Sequence, residues 1–452
     1  MTVERTIFGT DGVRGVANEE PMTVEVALRL GQAVAYQFRH RRRHGIVIGK
    51  DTRLSGYMLE TALASGICSM GGDVLLVGPL PTPGVAYITR GMRADAGVMI
   101  SASHNPYQDN GIKFFDGQGY KLPDAVEQAI EAIMANGALD RQRPTAQDIG
   151  RAARIDDAAG RYITFLKSTV PEGMTFDGMK IVVDCAHGAG YRVAPAVLSE
   201  LGAHVIAIGI SPDGRNINRG GGALHPEYVS RIVREHGADC GFALDGDADR
   251  VIMCDADGTV VDGDAILALC AVDMQRNGEL AHGTVVATTM SNLGLILSLQ
   301  SLGITVVRAN VGDRYVIQEM RAGGYMLGGE QSGHIIFAKH STTGDGILGA
   351  LKVLSIMHQT GQSLSMLRAV MQTVPQVLVN VPVREKRPIG DMAPVASLIA
   401  TYEKELGARG RILVRYSGTE KVARVMIEGE RQEQIRKMAD TLAGEISQQL
   451  GI

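Results

Sequence analysis

The chain contains no tryptophan, and aromatic residues are only 4% of its 452 positions. Its core must therefore be aliphatic. Cysteine is scarce too: Cys68, Cys185, Cys240, Cys254 and Cys270 form an odd, scattered set without a CxxC pair. That pattern argues against a structural zinc and against a disulfide framework. No uninterrupted apolar run is long enough to span a bilayer. Met1-Thr2-Val3-Glu4-Arg5 lacks the basic and apolar pattern of a signal segment, so a cytoplasmic location is expected. There is no excess of positive charge either. A net charge of -4 argues against a general nucleic-acid binder.

What is present is glycine, 56 residues of it, and a hydrophobic fraction of 45%, enough for a large core with glycine-rich loops. The length predicts about two to four domains. One basic run, Arg39-His40-Arg41-Arg42-Arg43-His44, follows the amphipathic series Val24, Leu28, Gly31, Val34, Ala35 and Phe38. It reads as cations in a last helical turn, with Gly45 as the capping glycine.

A weak internal repeat organises the chain. Met70-Gly71-Gly72-Asp73-Val74, Leu201-Gly202-Ala203-His204-Val205 and Leu302-Gly303-Ile304-Thr305-Val306 each end a helical segment with glycine and enter an apolar strand. Ile46-Val47-Ile48, Ile181-Val182-Val183 and Val285-Val286-Ala287 are strands ahead of each unit. Alternating strands and helices predict three related α/β domains with mixed, largely parallel sheets. The C-terminal part differs. Strands at Val377-Leu378-Val379, Ile412-Leu413-Val414 and Ala423-Arg424-Val425-Met426-Ile427, with helices near 395–406 and 431–450, predict an antiparallel α+β domain. Linkers are expected at 136–148 and 359–363.

Chemistry gathers in loops. Ser101-Ala102-Ser103-His104-Asn105-Pro106 follows the apolar run Ala96-Gly97-Val98-Met99-Ile100, so a buried strand delivers a serine and a histidine to an open loop. Lys113 lies close by in sequence. Asp245, Asp247 and Asp249 alternate with small residues after Phe242-Ala243-Leu244. In an extended segment they would share one side, and three carboxylates there call for a hard cation such as Mg2+. An EF-hand is excluded by Arg250 at its sixth position and Ala256 at its twelfth. A phosphorylated serine needs such a cation and donors around it, so the two loops together point to phosphoryl transfer.

Three further glycine-framed clusters suit a phosphosugar. Arg415-Tyr416-Ser417-Gly418-Thr419 suits a phosphate dianion. Gly329-Glu330-Gln331-Ser332-Gly333-His334 can read sugar hydroxyls and move a proton. Phe8-Gly9-Thr10-Asp11-Gly12-Val13-Arg14-Gly15 adds a cation. A rival is Asp255-Ala256-Asp257-Gly258-Thr259, which is similar to the first motif of aspartyl-phosphate phosphotransferases, with Lys339 and Asp345 as candidate later motifs. Asp257-Gly258 between two Val-rich runs reads instead as a hairpin turn.

Taken together, these motifs resemble those of the α-D-phosphohexomutases, nearest their bacterial glucosamine branch, across almost the whole chain. The resemblance implies three α/β domains and a C-terminal α+β domain around a central cleft, here 1–150, 151–254, 255–366 and 367–452. It implies that Ser103 is the phosphorylated residue, and that Asp245, Asp247 and Asp249, with the Ser103 phosphate, hold one Mg2+. Glu330, Ser332 and Arg250 would contact the sugar, and Arg415, Ser417, Gly418 and Thr419 its distal phosphate. Arg14, His104, Lys113 and His334 would lie near proton transfer. The implied reaction interconverts glucosamine 6-phosphate and glucosamine 1-phosphate, feeding amino-sugar nucleotide and cell-wall synthesis. Glucosamine or glucose 1,6-bisphosphate would act as activator. The glucose and mannose phosphate branches are the alternatives. Partners are expected to be a phosphosugar, not nucleic acid or membrane, with a homodimer allowed. Tyr416, Lys421 and the stretch Arg219-Gly220-Gly221-Gly222-Ala223-Leu224-His225-Pro226 depart from the family pattern.

Overall fold

The computed structural model describes residues 7–9, 11–39, 45–417 and 421–451. Chain packing separates two units. The first comprises the described residues up to Thr289 together with Val306–Ala369, and the second comprises Met290–Thr305 and the described residues from Val370 onward.

The first unit holds three sheets. In the first, the strands lie in the order Val13–Val16, Asp109–Asp116, Ala96–Ile100, Gly45–Lys50, Asp73–Pro79 and Ala152–Arg154. The last four run parallel, and the first two are antiparallel additions at the other edge. Ile46, Val47 and Ile48 are all fully buried, as a parallel strand covered on both faces requires. Helices Val24–Gln37 and Gly56–Ser69 lie together on this sheet. They touch backbone to backbone: a Cβ on Gly31 would sit 2.4 Å from the Leu63 carbonyl oxygen, and one on Gly66 would sit 2.2 Å from that of Leu28.

The second sheet has the order Val260–Val261, Val251–Asp255, Cys240–Leu244, Lys180–Asp184 and His204–Ile208. The third has Thr305–Ala309, Thr284–Thr288, Leu327–Gly329 and Ile335–Phe337. Both are mixed, with parallel pairs inside and antiparallel pairs at one edge. The repeat foreseen in the sequence is present. Gly71, Gly202 and Gly303, at φ of 85°, 92° and 75°, carry the chain from helices Gly56–Ser69, Val193–Glu200 and Leu293–Ser301 into the following strands. Left-handed backbone is where glycine costs least. In each sheet an interior strand ends at a motif: Ala96–Ile100 before Ser103, Cys240–Leu244 before Asp245, and Leu327–Gly329 before Glu330. Carboxyl ends of strands in open α/β sheets are where ligand sites form.

In the second unit, Gln376–Pro382, Val422–Glu428 and Arg411–Tyr416 make an antiparallel sheet, with helices Ala393–Leu406 and Gln432–Leu450 contributing to one apolar core. Helix Leu293–Ser301 belongs to this unit, its first amide bonded to Glu428 at 3.2 Å.

Several expectations are corrected. The stretch 136–148 is not a plain linker: it holds the helix Ala138–Arg141, whose Leu139 is buried in the first core. The first sheet continues past residue 150, because Ala152–Arg154 pairs with Asp73–Pro79. The second sheet continues past 254, because Val260–Val261 completes its edge hairpin. The helix after Thr23 ends at Gln37, so Arg39 lies beyond its last turn, stacked 3.4 Å above the Tyr36 ring. Gly45 is the first residue of a paired strand and not a cap. Residues 40–44 of that run lie outside the described residues.

Candidate active site

Ser103 is not in an open loop, as its polar surroundings had implied. It is 2% exposed. Its φ is 50°, in the left-handed region that non-glycine residues seldom adopt. The Ser103 amide donates to Ser101 Oγ at 2.9 Å, and Ser101 Oγ donates to Asp51 at 2.7 Å. Ser103 Oγ then donates to Asp245 Oδ2 at 2.6 Å and lies 3.3 Å from His104 Nδ1. The serine loop and the acidic loop thus meet across 142 residues of sequence.

The three acids converge by a tight turn, not by the strand alternation expected. The Cys240–Leu244 strand stops before Asp245, Ala248 N–H donates back to the Asp245 carbonyl at 3.0 Å, and Ala248 takes a φ of 56°. One carboxylate oxygen from each of Asp245, Asp247 and Asp249 lies within 4.8 Å of the others, and all three residues are buried. Among the described residues, no other three His, Cys, Asp or Glu side chains converge this way. Asp247 Oδ1 and Asp249 Oδ1 are buried with no hydrogen-bond partner. Buried carboxylate oxygens are rarely left unsatisfied, and a hard cation is the partner their chemistry suits. The residues therefore fit Mg2+.

Cations and donors ring the acids. Lys113, 2% exposed, places Nζ 3.1 Å from Asp247, 3.8 Å from Asp249 and 3.2 Å from Asp11. Burial would lower its pKa, but Asp11, Asp247 and Asp249 outweigh it and push it up. Burial, then Asp249 and Asp247, holds the Asp245 carboxyl well above the usual carboxylate range. Burial would raise Asp249 as well, yet His334, Lys113 and Arg250 hold it low. Thr82 Oγ1 donates to Asp247 Oδ2 at 2.7 Å. His104 is lowered from 6.5 to about 4 by burial and by Arg250 and Arg14, so it is neutral at pH 7.

The third sheet supplies the far side. His334 Nδ1 is 3.6 Å from Asp249 and Nε2 is 3.6 Å from Asp313. Burial lowers the His334 pKa, but Asp249 and Asp313 outweigh it and favour an imidazolium. The Gly344 amide, however, donates to Nε2 at 2.9 Å and needs a lone pair there. That bond is the sharper constraint, and it puts the ring proton on Nδ1, toward Asp249. Glu330 accepts from the Gly312 amide at 3.0 Å, and Ser332 is exposed at the tip of the same turn. Arg250 sits 3.9 Å from Asp249 and bridges backbone to backbone with His334. Arg14 reaches Asn105 at 3.4 Å and Asp11 at 3.3 Å.

Sequence reading missed Asp11, Thr82, Lys121 and Asp313 as parts of this cluster. Asp11 stood inside a quoted motif. Lys121, which bonds both Asp11 and Asp313, gives no local signal, because its partners are far away in sequence.

In the second unit, Arg415 pairs in cross-strand register with Arg424. Burial, and then Arg424, lowers the Arg415 pKa, and its Nε is buried without a hydrogen-bond partner. Ser417 is 4% exposed, its carbonyl bonded by Lys386 at 2.7 Å. Two adjacent guanidiniums are what a dianion stabilises. Arg424 was overlooked because only strand register brings it to Arg415. Gly418 and Thr419 lie outside the described residues. Tyr416, the departure from pattern, donates its hydroxyl to the Arg387 carbonyl at 2.5 Å.

Asp255 does not serve as a nucleophile here. It is fully buried, accepts from the Asp257 and Thr259 amides at 3.1 and 2.9 Å, and is paired with Arg368 at 2.9 Å. The hairpin reading of Asp257-Gly258 holds: Met253 and Cys254 pair with Val261 and Val260.

Comparison with known proteins bears on the family and the fold. The models of phosphoglucomutase/phosphomannomutase alpha/beta/alpha domains I, II and III match residues 5–141, 160–258 and 262–374, and that of the C-terminal domain matches 378–445. Among curated relatives, the chain is 56% identical to a phosphoglucosamine mutase of Syntrophotalea carbinolica, over 100% of this chain and 99% of that one. It is 60% identical to one of an Anaeromyxobacter species, over 99% and 97%. Among solved structures, a phosphoglucomutase/phosphomannomutase family protein of Burkholderia thailandensis superposes with a TM-score of 0.81 at 22% identity, covering 98% and 97% of the two chains. An Aspergillus fumigatus N-acetylphosphoglucosamine mutase, solved with GlcNAc-6P and magnesium, does so at 0.65 and 18%, covering 98% and 96%.

Proposed function

The chain belongs to the phosphoglucomutase/phosphomannomutase family of α-D-phosphohexomutases, and from that premise we propose that it interconverts glucosamine 6-phosphate and glucosamine 1-phosphate through a phosphorylated Ser103. The observation that carries the reading is the 2.6 Å bond from Ser103 Oγ to a triad of buried acids with two unsatisfied oxygens. Full-length identity to phosphoglucosamine mutases supports the substrate.

In the reaction, the bond between phosphorus and Ser103 Oγ breaks as the sugar 1-hydroxyl oxygen bonds to phosphorus. The hydroxyl proton passes to a base of the site, and Ser103 Oγ regains a proton. The resulting 1,6-bisphosphate reorients, and its 6-phosphoryl group returns to Ser103 by the same exchange. Bound at Asp245, Asp247 and Asp249, Mg2+ would supply positive charge to the transferring group. Lys113 holds the acids in place and adds charge. Neutral His104, beside Ser103 Oγ, is placed to carry the serine proton, while His334 and Arg14 orient Asp249 and the serine loop. Glu330, Ser332 and Arg250 contact the sugar hydroxyls. Arg415, Arg424, Ser417, Gly418 and Thr419 hold the phosphate not being transferred. Such transfers rest on positioning and charge neutralisation. One Mg2+ per site, a bisphosphate activator and a phosphosugar as the binding partner follow from this reading. The family ranges support a four-domain division, with the first two boundaries moved beyond 150 and 254 to keep the sheets whole and the third moved beyond 366, since the third family model runs to 374.

A coupled assay with Mg2+ and a trace of bisphosphate, run on glucosamine, glucose and mannose 6-phosphates, tests it. Glucosamine 6-phosphate should be preferred, and Ser103→Ala should lose turnover while keeping its melting temperature. Preference for glucose or mannose phosphate would assign a sister activity, and an active Ser103→Ala would refute the mechanism.

A further inference from the structure

We propose that Arg53 and Asn218 are positioning residues that clamp the carbonyls of the Ser103 loop from two sides and so hold the serine in its reactive conformation. The inference rests on the reading of Ser103 as the phosphoryl carrier. Neither residue belongs to a motif that suggested chemistry in the sequence.

Arg53 is a fully buried guanidinium. Its Nε bonds Asp51 at 2.8 Å, one terminal nitrogen bonds the carbonyls of Ser103 and Asn105 at 3.0 and 2.8 Å, and the other bonds the carbonyls of Pro106 and of Asp109, the latter at 3.1 Å. Asn218 comes from the other side, from the segment between strands His204–Ile208 and Cys240–Leu244 of the second sheet. Its Nδ2 donates to the same two carbonyls, Ser103 at 2.8 Å and Asn105 at 3.0 Å. Each of those oxygens therefore takes one N–H from each side.

The clamp acts on a strained residue. A left-handed serine persists only where its surroundings over-determine it, and here both its amide and its carbonyl are tied down. The acidic loop is packed against the same point. A Cβ on Gly246 would lie 2.5 Å from the Ser103 carbonyl oxygen and 2.9 Å from Asn218 Nδ2. Asn218 thus sets the register between the serine loop of the first sheet and the acid loop of the second. Arg53 also sets one buried guanidinium against four carbonyls of the 103–109 segment, so their dipoles are satisfied within the loop.

The test uses full-length protein and the coupled assay. Asn216, in the same segment, bonds only that segment, to the Ser211 carbonyl at 3.0 Å and the Asp213 amide at 3.0 Å, so Asn216→Ala is the structural control. Asn218→Ala should fold and keep KM within about twofold, while kcat falls about a hundredfold, the scale of a misplacement near 1 Å. Phospho-Ser103, read by intact mass after mixing with bisphosphate, should form correspondingly slowly. Asn216→Ala should lower the melting temperature and leave kcat alone. Arg53→Lys should be worse than Asn218→Ala, because an ammonium cannot reproduce the fork; should it fail to fold, the Asn218 comparison decides alone. Wild-type kcat in folded Asn218→Ala, or an equal kcat loss in Asn216→Ala, overturns the clamp. A wild-type enzyme inactive on all three sugar phosphates overturns the assigned activity instead, so the two failures are distinct.

Discussion

Phosphorylating Ser103 should change the protonation of its neighbour His104. In the unphosphorylated chain, burial and the cations Arg250 and Arg14 hold His104 at about 4. Its Nδ1 is 3.3 Å from Ser103 Oγ. A phosphate on that oxygen brings about two negative charges. At roughly 5 Å and an effective dielectric of about 20, each is worth about 3 kcal/mol, or about two pH units. Negative charge favours the imidazolium, so the pKa rises, to roughly 6–8 once solvent screening is allowed for. Proton NMR titration of the metal-free enzyme before and after phosphorylation reads this, with His104→Gln assigning the resonance. A His104 that titrates near 6.5 without phosphate, or moves by less than about one pH unit on phosphorylation, would refute the reasoning. The same depression has a stability consequence. The folded, unphosphorylated protein binds this proton less tightly than the unfolded chain, so stability falls as pH drops from 6.5 through about 4, by up to about 3 kcal/mol.

Other consequences follow from the same geometry. Gly246→Ala puts a methyl 2.5 Å from the Ser103 carbonyl oxygen; kcat should drop about a hundredfold in a folded protein, and unchanged kinetics would contradict the packing. Asp345, raised from 3.8 to about 6 by burial, caps helix Gly346–Thr360 and accepts from Tyr162. Its ionised form is the one the fold disfavours, so the wild type loses stability as pH rises from 3.8 through 6. Asp345→Asn should therefore gain up to about 3 kcal/mol at pH 8 and little at pH 4; a melting-temperature gap that does not change with pH would count against this. Arg415→Met removes a charge-assisted phosphate contact, and KM should rise about ten- to a hundredfold with kcat nearly unchanged. A pure kcat effect would move Arg415 out of phosphate binding.

How much could be read beforehand depended on range. The glycine-terminated repeats were legible because a helix end and the strand after it lie within a few residues, and left-handed backbone selects glycine there. Ser103 and the three acids were legible as local clusters of unusual chemistry. Misreadings arose where a distant partner decided. Ala152–Arg154 and Val260–Val261 are too short to announce themselves, and only pairing with other strands assigns them to a sheet.

Local chemistry in the sequence by itself singled out Ser103 as the candidate nucleophile, the three acids and the alternation of strands and helices, since each depends on neighbours along the chain. Tertiary structure decided the rest. It buried Ser103 and bent three acids around one point by a turn. It set Lys113 and His334 against those acids, Arg424 beside Arg415, and Arg53 and Asn218 on the serine loop. Those contacts join residues up to about two hundred positions apart, as between Lys121 and Asp313. Their strength comes from burial, where charges and dipoles act without water between them, and no stretch of sequence records which distant groups will share that space.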